Sequence, residues 1–404
     1  MSRWKNCALA VGLASLALSG CATPQRLASE PAALMPVAST GINDVRYLVA
    51  RDSSAFQAEA LSSINKEKAW RATHGSPADL PPAYFLAISG GGDNGAFGAG
   101  LLNGWTAAGT RPEFKVVTGV STGALIAPFA FLGPRYDGAL EKFYTTISQK
   151  DIFKSRGMLK GVTSDAMADS APLAKLIAQN TDQALLDAIA VEYAKGRVLL
   201  VGTANLDSLE PVIWNMTAIA ASKNPAALQL FRQVLLASAS IPGAFPPVMI
   251  DVNVDGTHYQ EMHADGGTMS QVFVYPPSLD TGLLRDTAVR RRVLYVIRNA
   301  RLDSPWQSVP RKTMAIAVRA IGSLTTTQGV GDLYRIFAAT QRDGVEFNLA
   351  LIPATFRPHG DEQFDTAYMQ ELYALGRDLA ASGYNWQKVP PGYGRPVNAS
   401  PSAK

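Results

Sequence analysis

Short apolar runs alternate with stretches of helical periodicity through the middle of this chain. Residues 84–89 are an apolar run of strand length, and in residues 95–108 apolar positions recur at helical spacing. Residues 114–120, rich in Val, read as a second strand, followed by an apolar helix over 122–132. Further strands are expected at 197–205, 293–298 and 345–352, with helices at 173–191, 225–238, 311–324 and 362–382. Such alternation argues for an α/β fold with a largely parallel central sheet. No repeat is apparent and no linker-like composition divides residues 81–385, which read as one domain.

The flanks differ. Arg3 and Lys5 precede an uncharged apolar stretch over 8–18, too short to span a bilayer as a helix, so residues 1–20 read as an export signal. It ends in Leu18-Ser19-Gly20-Cys21, which resembles the lipobox of bacterial lipoproteins. That resemblance implies a lipidated Cys21 as the mature N-terminus; a chance cysteine after an ordinary signal is the alternative. Ala22, rather than Asp, resembles the outer-membrane sorting pattern of Gram-negative lipoproteins. The implied location is the bacterial cell envelope, at the outer membrane facing the periplasm or the surface. Residues 21–80, rich in Ala, Ser and Pro, are expected to be a tether with some helix over 44–70, and residues 386–404 a loose tail.

With 47% hydrophobic and 17% charged residues the chain has the balance of a protein with a substantial core. Its only cysteines are Cys7 and Cys21, so removal of the signal leaves no thiol for a disulfide, a metal site or a nucleophile. Any nucleophile is then an oxygen or an amine. Without residues 1–20 the formal charge falls from +4 to +2, with 35 basic against 33 acidic residues, which gives no case for nucleic acid. The dense basic run Arg290-Arg291-Arg292 reads as a solvated strand entrance.

Three constellations carry chemistry. Gly90, Gly92 and Gly95 form G-x-G-x-x-G after a strand and at the start of a helix, where backbone N–H groups and the helix dipole converge on one point. The ligand could be a pyrophosphate or a transient oxyanion, and a tight turn with no ligand is the third reading. Gly119-Val120-Ser121-Thr122-Gly123 is G-x-S-x-G in the strand-turn-helix context of a nucleophile elbow. Consecutive parallel strands would bring the Gly91 and Gly92 amides beside the Ser121 hydroxyl. A dinucleotide site would want an acid ending the second strand; Glu113 precedes that strand and Ser121 ends it, so a nucleotide is disfavoured.

A serine needs a base. His74 falls in the expected tether, and His258 and His263 flank an apparently polar loop and read as surface residues. Ser121, Asp265 and His359 stand in the Ser, acid, His order of an α/β-hydrolase triad. Asp265 alone, in Ala264-Asp265-Gly266-Gly267, is the other candidate base, and a plain surface turn would use the same residues.

Together these segments resemble the patatin-like phospholipases, serine acyl hydrolases with a Ser-Asp dyad. Residues 89–100 resemble the family's glycine-rich loop, Gly119 to Gly123 its nucleophile motif and Asp265-Gly266-Gly267 its D-G-[GA] motif. Residues 237–247 resemble the segment ahead of that aspartate. The resemblance implies a three-layer α/β/α fold, Ser121 as nucleophile and Asp265 as base. It further implies an oxyanion hole in the Gly90, Gly91 and Gly92 loop, a phospholipid or other fatty-acyl ester as substrate, and no cofactor or metal. Where most relatives carry Arg or Lys this chain has Asn94, preceded by Asp93, an expected cap for the next helix. That departure keeps a non-catalytic envelope lipoprotein on the same scaffold as an alternative. Apolar residues near 314–320 could form an interfacial face, but Arg319 interrupts them and a core-facing helix is expected.

Overall fold

The computed structural model describes residues 25–49, 51–75, 79–157, 164–276, 279–303, 306, 308–357 and 362–393. The expected signal with Cys21 and Ala22, and His359, lie outside the described residues.

Nine strands form the central sheet: β1 (Arg46–Leu48), β2 (Ala83–Ile88), β3 (Val116–Val120), β4 (Val198–Asn205), β5 (Glu210–Asn215), β6 (Val248–Val254), β7 (Thr257–Asp265), β8 (Arg292–Arg298) and β9 (Glu346–Leu351). β9, β8, β2, β3 and β4 run parallel in that spatial order. β5 and then β1 add to the far side of β4 antiparallel. β7 also pairs antiparallel with β4, and β6 folds back along β7.

Alternating side chains on the strands serve two helical layers. Leu86, Ile88, Leu199 and Val201 pack with α2 (Gly95–Ala107), α3 (Thr122–Leu132) and the C-terminal helix Thr366–Ala381. On the other face Ala87, Leu294, Val296 and Leu349 meet Leu333 and Phe337 of the long helix Thr313–Asp343, while Val198 and Leu200 meet Phe56 of α1 (Ser53–Thr73). The result is a three-layer α/β/α fold with a largely parallel sheet.

The helix expected over 173–191 is two, α4 (Ala171–Asn180) and α5 (Gln183–Ala194), because the Asp182 carboxylate accepts the Leu185 amide at 2.9 Å and starts a new helix. After α6 (Ala227–Ser238), the helix expected over 311–324 becomes α7 (Thr313–Asp343), and α8 (Thr366–Ala381) closes the series. The β5 strand and the β6–β7 hairpin were not expected from the pattern.

The described residues of both flanks pack onto the domain, which corrects their reading as tether and tail over those residues. Met35, Val45, Tyr47 and Leu48 are buried, and β1 registers on β5 from Arg46↔Trp214 to Leu48↔Val212. At the other end Trp386 packs on Trp105 and Tyr295, Gln387 exchanges backbone hydrogen bonds with Leu349, and Tyr393 lies edge-on to Phe337. The basic run at β8 is absorbed in ion pairs, Arg290 with Glu67 and Arg291 with Glu346.

The N-terminal segment is joined to β7 by charge. Arg46 grips the fully buried Glu261 and donates to the carbonyls of Met35 and Ala38. Burial alone would raise the Glu261 carboxyl, but hydrogen bonds and charge from His263 and Arg46 outweigh it and hold it at about 2. Arg46→Ala leaves that carboxylate buried without its cation and is expected to cost about 3–5 kcal/mol in urea unfolding. Arg377→Ala, from the exposed Arg377–Asp378 pair, is expected to change stability by less than about 0.5 kcal/mol.

Candidate active site

β3 and β7 occupy the same edge of β4, one above the other. The last pair of β3 is Val120↔Gly202, and the first residue of β4 beyond it, Thr203, pairs with Asp265, the last residue of β7. Two strands of opposite direction therefore end against each other, which brings Ser121, the residue after β3, beside Asp265, the last of β7. The Ser121 side chain lies beside the Asp265 carboxylate, whose Oδ1 accepts the Gly267 amide at 2.7 Å. Burial pushes the Asp265 carboxyl up to about 7 against the opposing pull of the Ser121 hydroxyl and the Gly267 amide.

Ser121 sits at φ 56, ψ −127, an uncommon conformation for a residue with a side chain, and α3 begins at the next residue. Its amide donates to Ser238 Oγ at 3.0 Å, and that hydroxyl donates to the Gly202 carbonyl at 2.7 Å, so one side chain ties the turn to β4. The glycines of the motif are steric requirements. A Cβ on Gly123 would lie 2.3 Å from the Ile88 carbonyl oxygen, and one on Gly119 would meet the Gly123 carbonyl oxygen at the same distance. Gly266 passes equally close to β4, where a Cβ would lie 2.4 Å from the Gly202 oxygen.

The glycine loop after β2 borders Ser121. Gly90 lies so close that a Cβ on it would be 3.1 Å from Ser121 Cβ, but its amide donates to the Gln271 carbonyl at 3.0 Å. The structure thus removes Gly90 from the expected oxyanion donors. Gly91, at φ 156, and Gly92, at φ 60, have no hydrogen-bond acceptor for their amides among the described residues, and Gly92 lines the same cavity as Ser121. Gly95 opens α2 against Thr122 and Tyr144.

Asp93 does not cap α2. Its Oδ2 accepts the Phe364 amide at 3.0 Å, and burial raises its carboxyl above the ordinary value. Asn94 turns away too, its side-chain oxygen accepting the Tyr368 hydroxyl on α8.

Three positioning residues escaped the sequence reading. Asn299, fully buried, donates Nδ2 to the Ser89 carbonyl at 2.9 Å and accepts the Gly98 amide at 3.0 Å, clamping the glycine loop to α2. Gln271 accepts the Gly90 amide and donates to the Gly267 carbonyl at 2.9 Å, coupling the glycine loop to the Asp265 turn. Ser238 is the third. Asn299 follows directly on β8, and the C-terminal ends of parallel strands are where sites gather; that signal was available.

Of the histidines, His263 is not a surface residue. It is fully buried on β7, with Nε2 2.9 Å from Glu261 and Nδ1 3.0 Å from Thr203 Oγ1, so both ring nitrogens are engaged away from Ser121. His74 stacks on Trp70 at the end of α1. Below Ser121 a cavity of about 30 Å³ is lined by apolar side chains including Leu125, Phe143, Ile241, Phe245, Phe364 and Met369. Ile241 and Phe245 belong to the segment noted ahead of Asp265.

Residues 86–277 match the family described as "Patatin-like phospholipase". No curated protein matches the chain significantly. Among solved structures, the crystal structure of VipD from Legionella pneumophila is similar at 12% identity and a TM-score of 0.35, over 75% of this chain and 67% of that one. Human GIVD cytosolic phospholipase A2 is similar at 10% identity and a TM-score of 0.28, over 67% of this chain and 50% of that one. The chain thus spans half the length of the human protein.

Two glycine substitutions separate crowding from backbone strain. Gly123→Ala drives a methyl into backbone and is expected to cost more than about 2 kcal/mol in thermal unfolding. Gly92→Ala, whose new methyl meets nothing within 4 Å, carries only the strain of φ 60 and is expected to cost about 1 kcal/mol.

Proposed function

The chain belongs, over residues 86–277, to the patatin-like phospholipase family, and from that premise we propose that it hydrolyses fatty-acyl esters of lipids through a Ser121–Asp265 dyad. The observation that carries this reading is the buried Asp265 carboxylate, pushed up to about 7, set beside a serine in a strained turn at a helix N-terminus.

In the proposed cycle Ser121 Oγ attacks the ester carbonyl carbon while Asp265 takes the hydroxyl proton. The oxygen of the tetrahedral intermediate gains negative charge, and the Gly91 and Gly92 amides with the N-terminus of α3 supply fixed positive dipoles toward it. Collapse breaks the bond to the leaving alcohol, which takes the proton from Asp265, and the acyl group stays on Ser121. Water then attacks the acyl-enzyme, losing its proton to Asp265, and the second collapse frees the fatty acid and returns the proton to Ser121. A carboxylate of ordinary pKa would be a weak base for these steps; one near 7 is matched to neutral pH. The apolar cavity under Ser121 supports an acyl chain rather than a polar group as the part accommodated there. Its small volume implies that the side chains of the 241–245 segment and Phe364 move apart when a long chain enters.

We also propose that the mature protein is anchored in a bacterial envelope through lipid on Cys21; the residues from Arg3 to Ala22 alone support this. Cys21→Ser is expected to abolish incorporation of radiolabelled palmitate on expression in a Gram-negative host, and persistent labelling would remove the anchor from the reading.

A fluorophosphonate probe is expected to label the folded wild type and not Ser121→Ala. Wild type incubated with total membrane lipid should release free fatty acids and lyso-lipids that Ser121→Ala does not. Failure to label the folded wild type would favour a non-catalytic scaffold, and loss of hydrolysis in His359→Ala would favour the triad. The rate of ester hydrolysis should rise with pH through about 7, because only ionised Asp265 accepts the proton. Stability runs the other way. Asp265 holds its proton more tightly folded than unfolded, so this contribution is fully present below its ordinary value of 3.8 and is lost as pH rises through about 7. Asp265→Asn should therefore abolish the activity profile and flatten the stability difference between pH 5 and pH 8, to be read by urea unfolding at ~pH 5 and ~pH 8.

A further inference from the structure

α7 is longer than the sheet it packs on. Its C-terminal half runs down the second face beside β9, and at Gln328, Gly329 and Asp332 it meets Met269, Gln271 and Val272, at the edge that carries Ser121 and Asp265. The preceding residues 313–327 continue past that edge, about 22 Å of helix at 1.5 Å per residue. The sequence led us to expect a core-facing segment here. The structure shows the reverse.

Ile316, Ala317, Ala320, Ile321 and Leu324 fall on one side of the helix, and all five are exposed; Ile316 is 52%, Ile321 49% and Leu324 71% accessible. Of the partly covered positions, Ala315, Arg319 and Thr326 lie on the opposite side and Thr325 at the margin of the stripe. The helix is amphipathic the wrong way round for a water-facing element, with a five-residue apolar stripe turned outward. Trp306, 90% accessible, precedes it.

Charge indicates what covers this stripe. Between Asp303 and Asp332 the chain has Arg311, Lys312 and Arg319 and not one acidic residue, and Arg311 and Lys312 are exposed at the start of the helix. Apolar side chains on one face, a tryptophan and cations at the end suit a helix lying in the boundary between acyl chains and anionic headgroups. Among the described residues no helix is long and apolar enough to cross a membrane, so the geometry is one of lying on the surface rather than spanning it. We propose that the helix segment 313–324, with Trp306 and the cations at 311 and 312 ahead of it, is a docking element that inserts into an anionic lipid surface and presents the Ser121 edge of the sheet to it. The docking stands independently of the hydrolase reading; only the activity measurement below rests on it.

Cys7 and Cys21 are the only cysteines, so Ala320→Cys in a Cys7→Ser/Cys21→Ser full chain carries a nitrobenzoxadiazole fluorophore at the centre of the stripe. The probe reports its own surroundings wherever else the chain touches lipid. With phosphatidylcholine vesicles containing phosphatidylglycerol its emission is expected to shift to the blue and be quenched by brominated acyl chains. Arg311→Gln/Lys312→Gln should raise the lipid concentration at half-shift by about fivefold or more. Ile316→Ser/Ile321→Ser should lower hydrolysis of vesicle lipid about tenfold and leave a soluble short-chain ester unaffected. A fluorophore that stays water-exposed with these vesicles overturns the proposal. So does a blue shift that grows with protein concentration in the absence of lipid, which would make a second copy of the chain the occupant. If neither ester is hydrolysed by the wild type, the hydrolase reading fails while the fluorophore still decides the docking.

Discussion

Everything at the site depends on how β4 divides one of its edges. Up to Gly202 that edge is paired by parallel β3, and from Thr203 by antiparallel β7. The switch within one residue sets the end of one strand against the end of the other. A slip of one residue in β7 would turn Asp265 to the opposite face, since side chains alternate along a strand. The register is fixed on both sides of the hairpin. Seven residue pairs join β6 to β7, and Met262 is held to Asp207 through its amide at 2.8 Å. Glu261, locked by Arg46 and His263, adds a buried ionic pin four residues before Asp265.

The same junction sets the chemistry. A carboxylate at the buried meeting point of two strand ends has little water around it, and that raises its affinity for a proton. The turn beside it cannot relax, because Gly123 and Gly266 lie against carbonyl oxygens of neighbouring strands and Ser238 ties the Ser121 amide to β4. Strain at Ser121 and desolvation at Asp265 both oppose folding, of the order of 1–3 kcal/mol for the first. They are held by a sheet packed on both faces.

Much of this was legible. The parallel strands and the helices that follow them showed in their periodicity, and residues 122–132 matched α3 residue for residue, because buried parallel strands read as continuous apolar runs. The pairing of a glycine turn with a serine turn was visible because each needs residue types that few other structures tolerate. What escaped were features set by partners distant in sequence. β1 is three residues long and carries no pattern of its own; only β5 makes it a strand. His263 looked polar and local until Glu261 and Thr203 enclosed it. The destination of the Gly90 amide depends on Gln271, 181 residues later, and no motif spacing encodes it. The outward stripe of α7 looked like core because periodicity gives a face but not its direction.

The three residues of β1 have a further consequence. β5 carries Val212, Ile213 and Trp214, and without β1 it would be the free edge of an eight-stranded sheet, with a row of unpaired amides and carbonyls beside bulky apolar side chains. Such an edge recruits strands from other molecules. The folding unit is therefore larger than the span matched by the family. A chain trimmed to residues 81–385 would keep every motif and lose its cover, exchanging a closed sheet edge for a template for aggregation.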